Sequence, residues 1–417
     1  GCRLLVFGVD LAERAAALRE ALPGLDCHGL DARLPGGTDL IAAAAQQPAR
    51  DPDLQVSADD VILTLFTSGT TGTLKAAQHT QGSYAAICRN VLLNLLPATP
   101  DDAMLHAASL IHASGVFVLP FWLRGGRTVI LPGFEPQSFL AAIERERATA
   151  INLVPTMLQM LVETPAMATC NVDALRYVIY GASPMPRPVI ERAMALWGQH
   201  RFWQYYGQTE VPLCLAVLRP EDHHGERLGA CGQPAVEVEV RLLDESGHDV
   251  APGQPGEIAV RAPSAVAGYH AAPELTAETF KPDGWVLTRD VGVFDEHGFL
   301  FLKDRTSDMI VSGGYNVYPR VLEEAPLAHP AARECAVGGL PDDKWVGAGT
   351  AVGALAPGNA ESDALAAELI AHVAARLASY KKPRRVIFTE QIPKTAVGKL
   401  NRRALRDRLR AASDPPA

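Results

Sequence analysis

Nine residues, Thr67-Ser68-Gly69-Thr70-Thr71-Gly72-Thr73-Leu74-Lys75, follow the apolar run 61–66 and concentrate four threonines, a serine, two glycines and one lysine. Such a stretch offers many hydroxyl and backbone donors, little bulk and one cation. That is phosphate-holding chemistry: glycines let the backbone approach an anion, consecutive N–H groups cup it, and a following helix would add the positive end of its dipole. The Walker pattern does not fit, because counting from Gly69 puts Leu74 where its second glycine must stand. For the stretch alone, the plain alternative is a polar strand-to-helix turn with a solvated lysine.

Four distant segments carry further chemistry. Tyr206-Gly207-Gln208-Thr209-Glu210 follows a strand-like segment, 201–205, and supplies a carboxylate where a loop would leave a sheet. Glu210 could hold magnesium, a hard cation that takes few carboxylates and shares phosphate oxygens, or be a surface glutamate. Asp290, ending Trp285-Val286-Leu287-Thr288-Arg289-Asp290, could accept from both hydroxyls of a ribose or be a turn aspartate. Lys303-Asp304-Arg305-Thr306-Ser307-Asp308 leads into Ser312-Gly313-Gly314-Tyr315. The last segment, 393–400, is a loop whose Lys399 would ordinarily be read as solvated.

The elements that must position these residues alternate. A βαβ-like opening (3–8, 11–22, 24–30) is followed by a loose connection over 34–60, the 61–66 strand, a helix over 81–96, and strands and helices in turn through Tyr180. Alternation of this kind implies a largely parallel sheet covered by helices. Such sheets bind ligands beyond the carboxyl ends of their strands, where the Thr67 loop is expected to fall. After Gly229, short strands at 236–243, 257–261 and 299–301 between turn signals suggest a β-rich subdomain. A compact α+β pattern closes the chain.

With 417 residues the chain is long enough for two or more domains. Its 48% hydrophobic and 20% charged residues are ordinary for a globular protein, and a net charge of -9 gives no basic footprint for nucleic acid. Seven scattered cysteines without C-x-x-C pairs argue for a reducing compartment, hence the cytoplasm, and against a zinc site. The longest apolar stretches, 107–123 and 150–162, are interrupted by His112 or by Asn152 and Pro155, so no transmembrane segment is expected.

In order and spacing the five segments, with Gly181-Ala182-Ser183 and Gly268-Tyr269 between them, resemble the adenylate-forming superfamily: acyl- and aryl-CoA synthetases, peptide-synthetase adenylation domains and luciferases. The resemblance implies an α/β fold with a large N-terminal domain, 1–306, of mainly parallel sheets covered by helices. A β-rich subdomain at about 229–306 and a small α+β C-terminal domain, 307–417, joined by a hinge at Ser307, would complete it. It also implies an ATP-dependent acid–thiol ligase that activates a carboxylic acid as acyl-AMP, releases pyrophosphate and passes the acyl group to the thiol of CoA.

Carried over residue by residue, Thr67, Ser68, Gly69, Thr70, Thr71, Gly72 and Lys75 resemble the pyrophosphate loop, and Thr67 and Glu210 the magnesium positions. Gly181, Ala182 and Ser183, with Tyr206, Gly207, Gln208 and Thr209, resemble the nucleotide pocket, and Asp290 and Arg305 the ribose site. Lys399 resembles the lysine bridging the acid's carboxylate and the α-phosphate, which makes Lys399, Glu210 and Lys75 the catalytic set. Gly313 and Gly314 resemble the loop that meets the pantetheine arm of CoA. The sequence departs from the usual pattern at Leu74, where proline is common, at Ala76, Arg289 and Asp304, where glycine is common, at the hinge residue Ser307, and at Val321, where glutamate is usual. Only 66 residues precede the loop, so a shortened first subdomain is expected.

The same resemblance places His112, Gly115 and Val116 along the acyl pocket, which Ala182, Trp203, Val211, Pro212 and Leu213 would complete; a satisfied core histidine is the alternative for His112. No acid is placed there for an amino group, so a simple carboxylic acid, fatty, alicyclic or aryl, is expected rather than an amino acid. Expected partners are that acid, ATP and CoA, with a homodimer as the assembly. Loading of a carrier-protein thiol and a non-catalytic nucleotide- or acyl-adenylate-binding fragment are the competing readings.

Overall fold

The computed structural model describes residues 2–30, 38–68, 74–306, 308, 310–312, 315–342, 346–377, 382–394 and 400–413. The chain divides into two compact units, Gly1–Val56 and Ser57–Ala417. In the first, β1 (Leu4–Phe7), α1 (Ala12–Ala21), β2 (Asp26–Gly29), β3 (Thr38–Asp39) and α2 (Leu40–Ala44) form the expected βαβ opening. Its parallel strands run in the order β1-β2-β3, over a small core of Phe7, Ala15, Leu25 and Cys27.

The second unit opens with β4 (Val61–Ser68) and β5 (Leu74–Thr80). The sequence reading needs correction here, because these strands pair with each other antiparallel rather than joining the parallel sheet. The strands flanking the Thr67 loop therefore form a hairpin, and α3 (Gln81–Asn94) begins only after the return strand, so α3 does not follow the loop directly as expected. Helix α3 starts at a reciprocal cap: Thr80 Oγ1 accepts from Ser83 N at 3.1 Å and Ser83 Oγ accepts from Thr80 N at 3.0 Å, worth about 1 kcal/mol.

The parallel sheet comprises β6 (Ala103–His106), β7 (Arg127–Ile130), β8 (Ala150–Leu153), β9 (Tyr177–Gly181) and β10 (Phe202–Gln208), extended antiparallel by β11 (Val211–Leu218) and β12 (Gln233–Pro234). Strand order is β12-β11-β10-β9-β8-β6-β7. Between these strands lie α4 (Ala113–Val116), α5 (Val118–Leu123), α6 (Pro136–Glu146), α7 (Pro155–Val162) and α8 (Arg187–Trp197). Strand side chains alternate between two apolar layers. Leu105, Ile151 and Val178 pack against α6, α7 and α8, whereas Met104, Ala150, Ile179 and Tyr205 face Ile87, Val116, Phe117 and Phe121 of the α3–α5 side. The chain leaves β6 for β7 on one side and then crosses back to β8 on the other. The order thus reverses between β6 and β8, where open α/β sheets leave a crevice at their carboxyl ends.

The β-rich part is an antiparallel sheet of β13 (Glu239–Leu243), β14 (Gly256–Arg261), β16 (Val286–Phe294) and β17 (Leu300–Arg305). Short β15 (Gly268–Tyr269) instead adds to β5, and α9 (Pro273–Thr279) follows it. Strands β18 (Ile310–Ser312) and β19 (Tyr315–Val317) pair antiparallel and lead into α10 (Pro319–Leu327). The C-terminal part is the expected α+β pattern, with β20 (Ala332–Asp342), β21 (Val346–Leu355), α11 (Asp363–Ala374), β22 (Arg385–Phe388) and α12 (Arg402–Ser413). Its core has Leu322 and Val337 on one face and Leu405 and Leu409 on the other. No helix among the described residues is long and apolar enough to cross a membrane.

Candidate active site

Register alone brings two of the expected residues together. Asp290 in β16 stands opposite Arg305 in β17, and Arg305 Nε approaches Asp290 Oδ1 at 3.3 Å. Tyr206, near the end of β10, donates from Oη to Asp290 Oδ2 at 2.7 Å. Asp290 is therefore no turn residue but a buried strand carboxylate with a cation on one oxygen and a phenol on the other. Burial raises its pKa, against the opposing pull of Arg305 and Tyr206. Burial also drives the Tyr206 hydroxyl well above its ordinary range, with Asp290 adding to the effect, so Tyr206 stays a donor. The preceding Arg289 has a φ of 62°, in the left-handed region, which explains why glycine is common there.

Nearby backbone is crowded in a way that fixes residue type. A Cβ on Gly181, the last residue of β9, would sit 2.4 Å from the Tyr205 carbonyl oxygen, and one on Gly207 would sit 2.4 Å from the Leu213 oxygen. Ala182 follows with a φ of 64°, and Ser183 Oγ donates to its carbonyl at 2.9 Å. Tyr205 thus fills the space beside Gly181 and Leu213 that beside Gly207, which excludes a side chain at either position.

The acidic residue of the set lies in a tight turn. Gln208 pairs with Val211, leaving Thr209 and Glu210 as the two-residue connection of β10 to β11, a strand missing from the sequence reading. Glu210 Oε1 accepts from Tyr269 Oη at 2.6 Å, and its carbonyl accepts from Val266 N at 3.0 Å. Lys75 lies with Nζ 5.4 Å from the Tyr269 ring centroid, and Thr67 is its register partner across the hairpin. Tyr269 is thus the link between Lys75 and Glu210. Its own hydroxyl is pushed up by burial and by Glu210.

One carboxylate beside a hydroxyl suits magnesium, which keeps water and phosphate oxygens as its other ligands. The described residues hold no group of three or more His, Cys, Asp or Glu side chains placed to share a metal ion. Glu210 and Thr67 are the residues that would hold it. When bound, magnesium supplies charge neutralisation at the phosphates.

Of the residues expected along the acyl pocket, Val116, Trp203 and Leu213 share one apolar cluster, and Val211 lies in the neighbouring one with Tyr206. Pro212 is buried and Ala182 half-buried. His112 is exposed at the start of α4, so the core-histidine alternative is ruled out. Gly115 is pressed onto the Leu110 carbonyl, where a Cβ would sit 1.9 Å from the oxygen.

A charged cluster that sequence reasoning missed centres on Arg402 of α12. Its Nη1 donates to Glu323 Oε1 at 2.7 Å and to the Val337 carbonyl at 3.1 Å, and its Nε lies 3.3 Å from Asp308 Oδ2. Asp304 Oδ1 is 3.9 Å from its Nη2, while Asp304 Oδ2 accepts from Arg320 N at 2.9 Å. Burial alone would depress Arg402, but Glu323, Asp304 and Asp308 outweigh it and hold the guanidinium charged. Gly69, Thr70, Thr71, Gly72, Thr73, Ser307, Gly313, Gly314 and Lys399 lie outside the described residues, as does the side chain of Ser68.

Residues 1–270 match the family model described as AMP-binding enzyme, and 321–399 match AMP-binding enzyme C-terminal domain. A feruloyl-CoA synthase of Amycolatopsis sp is 37% identical over 416 residues, covering 98% of this chain and 79% of that protein. A medium/long-chain-fatty-acid–CoA ligase, FadD8 of Mycobacterium tuberculosis, is 38% identical over 408 residues, covering 95% and 71%. Among solved structures, the amide bond synthetase McbA from Marinactinospora thermotolerans superposes with a TM-score of 0.90 at 33% identity, covering 98% of this chain and 80% of that one.

Proposed function

The chain belongs to the AMP-binding enzyme family, and from that membership we infer that it is an ATP-dependent acid–thiol ligase, joining a carboxylic acid to CoA through an acyl adenylate. The observation carrying this reading is the pair of polar clusters along β10. Asp290, Arg305 and Tyr206 offer hydrogen-bonding and charge for a ribose, while Glu210, Tyr269 and Lys75, four residues further along, suit a triphosphate and its metal.

In the first half-reaction a carboxylate oxygen attacks the α-phosphorus, the bond to the β-phosphate oxygen breaks, and pyrophosphate leaves. Two anions meet, so Lys75 and Lys399 offset repulsion and the charge developing at phosphorus. A well-placed donor in a closed site is worth about 3 kcal/mol, and alignment of carboxylate and phosphate supplies much of the rest. In the second, the CoA thiol loses its proton, its sulfur bonds to the acyl carbon, and AMP leaves as the mixed anhydride breaks. We assign the loop of Thr67 to Gly72 to the pyrophosphate, and Gly313 and Gly314 to the pantetheine arm. Residues 307–417 act as a lobe that pivots at Ser307, withdrawing Lys399 so that the thiol can enter.

The finer assignments have their own support. Seven free thiols support a cytoplasmic setting. Exposed Trp122, Leu123 and Ile130, on neighbouring α5 and β7, support a homodimer; a monomeric mass by light scattering would dismiss it. Lys399→Ala is expected to abolish acid-dependent ATP–pyrophosphate exchange while nucleotide binding by calorimetry persists. Exchange surviving that substitution would overturn the role given to Lys399.

A further inference from the structure

Asp304 stands where the family commonly carries glycine, yet its backbone has no positive φ that would call for one. The side chain is therefore what sets this position apart. Asp304 lies in β17 opposite Val291 of β16, so its backbone belongs to the antiparallel sheet that precedes Ser307. Its carboxylate is only 7% exposed. Oδ1 accepts from Arg305 N, the next residue of the same strand, at 2.8 Å.

Two further contacts lie beyond Ser307. Asp304 Oδ2 accepts from Arg320 N at 2.9 Å, and Oδ1 is 3.9 Å from Arg402 Nη2. Arg320 is the second residue of α10, whose N-cap residue, Tyr318, makes no side-chain cap hydrogen bond. A carboxylate from one side of the hinge thus caps a helix on the other, at the end where the helix dipole favours negative charge. Burial raises the Asp304 pKa, and Arg402 and the Arg320 amide act against it, so both favour the carboxylate in this orientation.

The cluster around Arg402 is divided by the hinge. Glu323 and Asp308 fall within 307–417 and would travel with Arg402 in any turn of the lobe. Asp304 would stay behind. A turn about Ser307 therefore leaves Arg402 with two carboxylates but strips Asp304 of its helix and its cation. As for the orientation so held, Pro393, Lys394 and Asn401, which flank the segment of Lys399, face Thr156 and Gln159 of α7 across a cleft of about 630 Å³. Helix α7 begins just after β8, at the carboxyl end of the parallel sheet, where such folds hold their ligands.

We propose that Asp304 is a latch that holds residues 307–417 in the adenylating orientation, a positioning residue that favours acyl-adenylate formation over thioester formation. This rests on the ligase reading and its pivot at Ser307. Both half-reactions draw on one population of enzyme, so the ratio of their rates follows the balance between orientations, and any loss of folded protein cancels.

The rates to compare are acid-dependent ATP–pyrophosphate exchange and thioester formation from preformed acyl-AMP and CoA, with hexanoic, cyclohexanecarboxylic and benzoic acids as probes. In Asp304→Ala the thioester-to-exchange ratio is expected to rise about 10-fold, the effect of one charge-assisted hydrogen bond. Asp304→Asn, which keeps an acceptor for Arg320 N but loses the charge, is expected to fall between. A ratio in Asp304→Ala within about 3-fold of wild type, or one shifted toward exchange, would overturn the inference and leave the ligase reading standing. A second measurement needs no substrate. With Cys2→Ser, and spin labels at Arg192→Cys in α8 and Ala367→Cys in α11, both exposed positions, one main interlabel distance is expected, with a second growing in when Asp304→Ala is added. An unchanged distribution would equally dismiss the latch. Absence of exchange with every acid would count against the ligase reading, and the distances would still decide on the latch.

Discussion

Tyr269 shows how much a single hydroxyl can organise. Its Oη holds Glu210 at 2.6 Å and its ring faces Lys75, so it fixes both the carboxylate and the cation assigned to the phosphates. Tyr269→Phe keeps the ring and frees Glu210. The expected result is a weaker apparent magnesium affinity, by about 10-fold (roughly 1.4 kcal/mol, the order of one charge-assisted hydrogen bond), with the ATP KM little changed. A magnesium titration of pyrophosphate release reads this directly, and an unchanged curve would remove Tyr269 from the site. At this scale the family resemblance was the guide: it singled out Glu210, Asp290, Arg305 and Tyr206, whose contacts are now visible. The contacts of Tyr269 and the Arg402 cluster were not legible, because each depends on which elements become neighbours. For the cluster, a carboxylate where glycine is common, Asp304, was the available signal.

Among elements, the hairpin of β4 and β5 is the clearest departure from expectation. Its return strand, Leu-Lys-Ala-Ala-Gln-His-Thr, has little β-branched or aromatic content, and its strand state comes from pairing with β4 and with distant β15 rather than from local preference. Strand β16 was hidden similarly, since a turn aspartate was an open alternative for Asp290 until β14 and β17 flank it. The Arg402 cluster joins elements too: α12 to α10 through Glu323 and to the end of β17 through Asp304. Removing one member of a buried charge group leaves the others uncompensated, at a cost of about 3–5 kcal/mol. Arg402→Ala is thus expected to lower the urea midpoint sharply, and to do so far more than Arg187→Ala, which removes only an exposed helix pair with Glu191. Equal effects of the two substitutions would contradict a stabilising role for the cluster.

The whole molecule carries buried histidines whose protonation opposes folding. His79, His106 and His223 are each lowered from 6.5 to about 4 by burial. The unfolded chain takes up protons at these sites below about pH 6.5, and the native state does not until about pH 4. Their contribution is therefore full at neutral pH and lost as pH falls through that window. Asp290, Asp304 and Glu323, raised by burial, act in the opposite sense, favouring the fold at low pH and losing that contribution as pH rises through their elevated values. A single-site comparison separates the two: His79, stacked edge-on against Tyr84, has both ring nitrogens without partners among the described residues. Relative to wild type, His79→Leu is expected to gain roughly 2 kcal/mol between pH 7 and pH 5 in urea unfolding. An equal loss in both proteins would refute it.

The reading of the whole chain as an adenylating ligase meets its most direct test in ATP–pyrophosphate exchange. Aliphatic, alicyclic and aryl acids are supplied with ATP and magnesium, and thioester formation is followed on adding CoA. Exchange that appears only with an acid, and a thioester that appears only with CoA, is the result expected. ATP binding by calorimetry without adenylate or pyrophosphate from any acid would contradict it and leave a nucleotide-binding protein in its place.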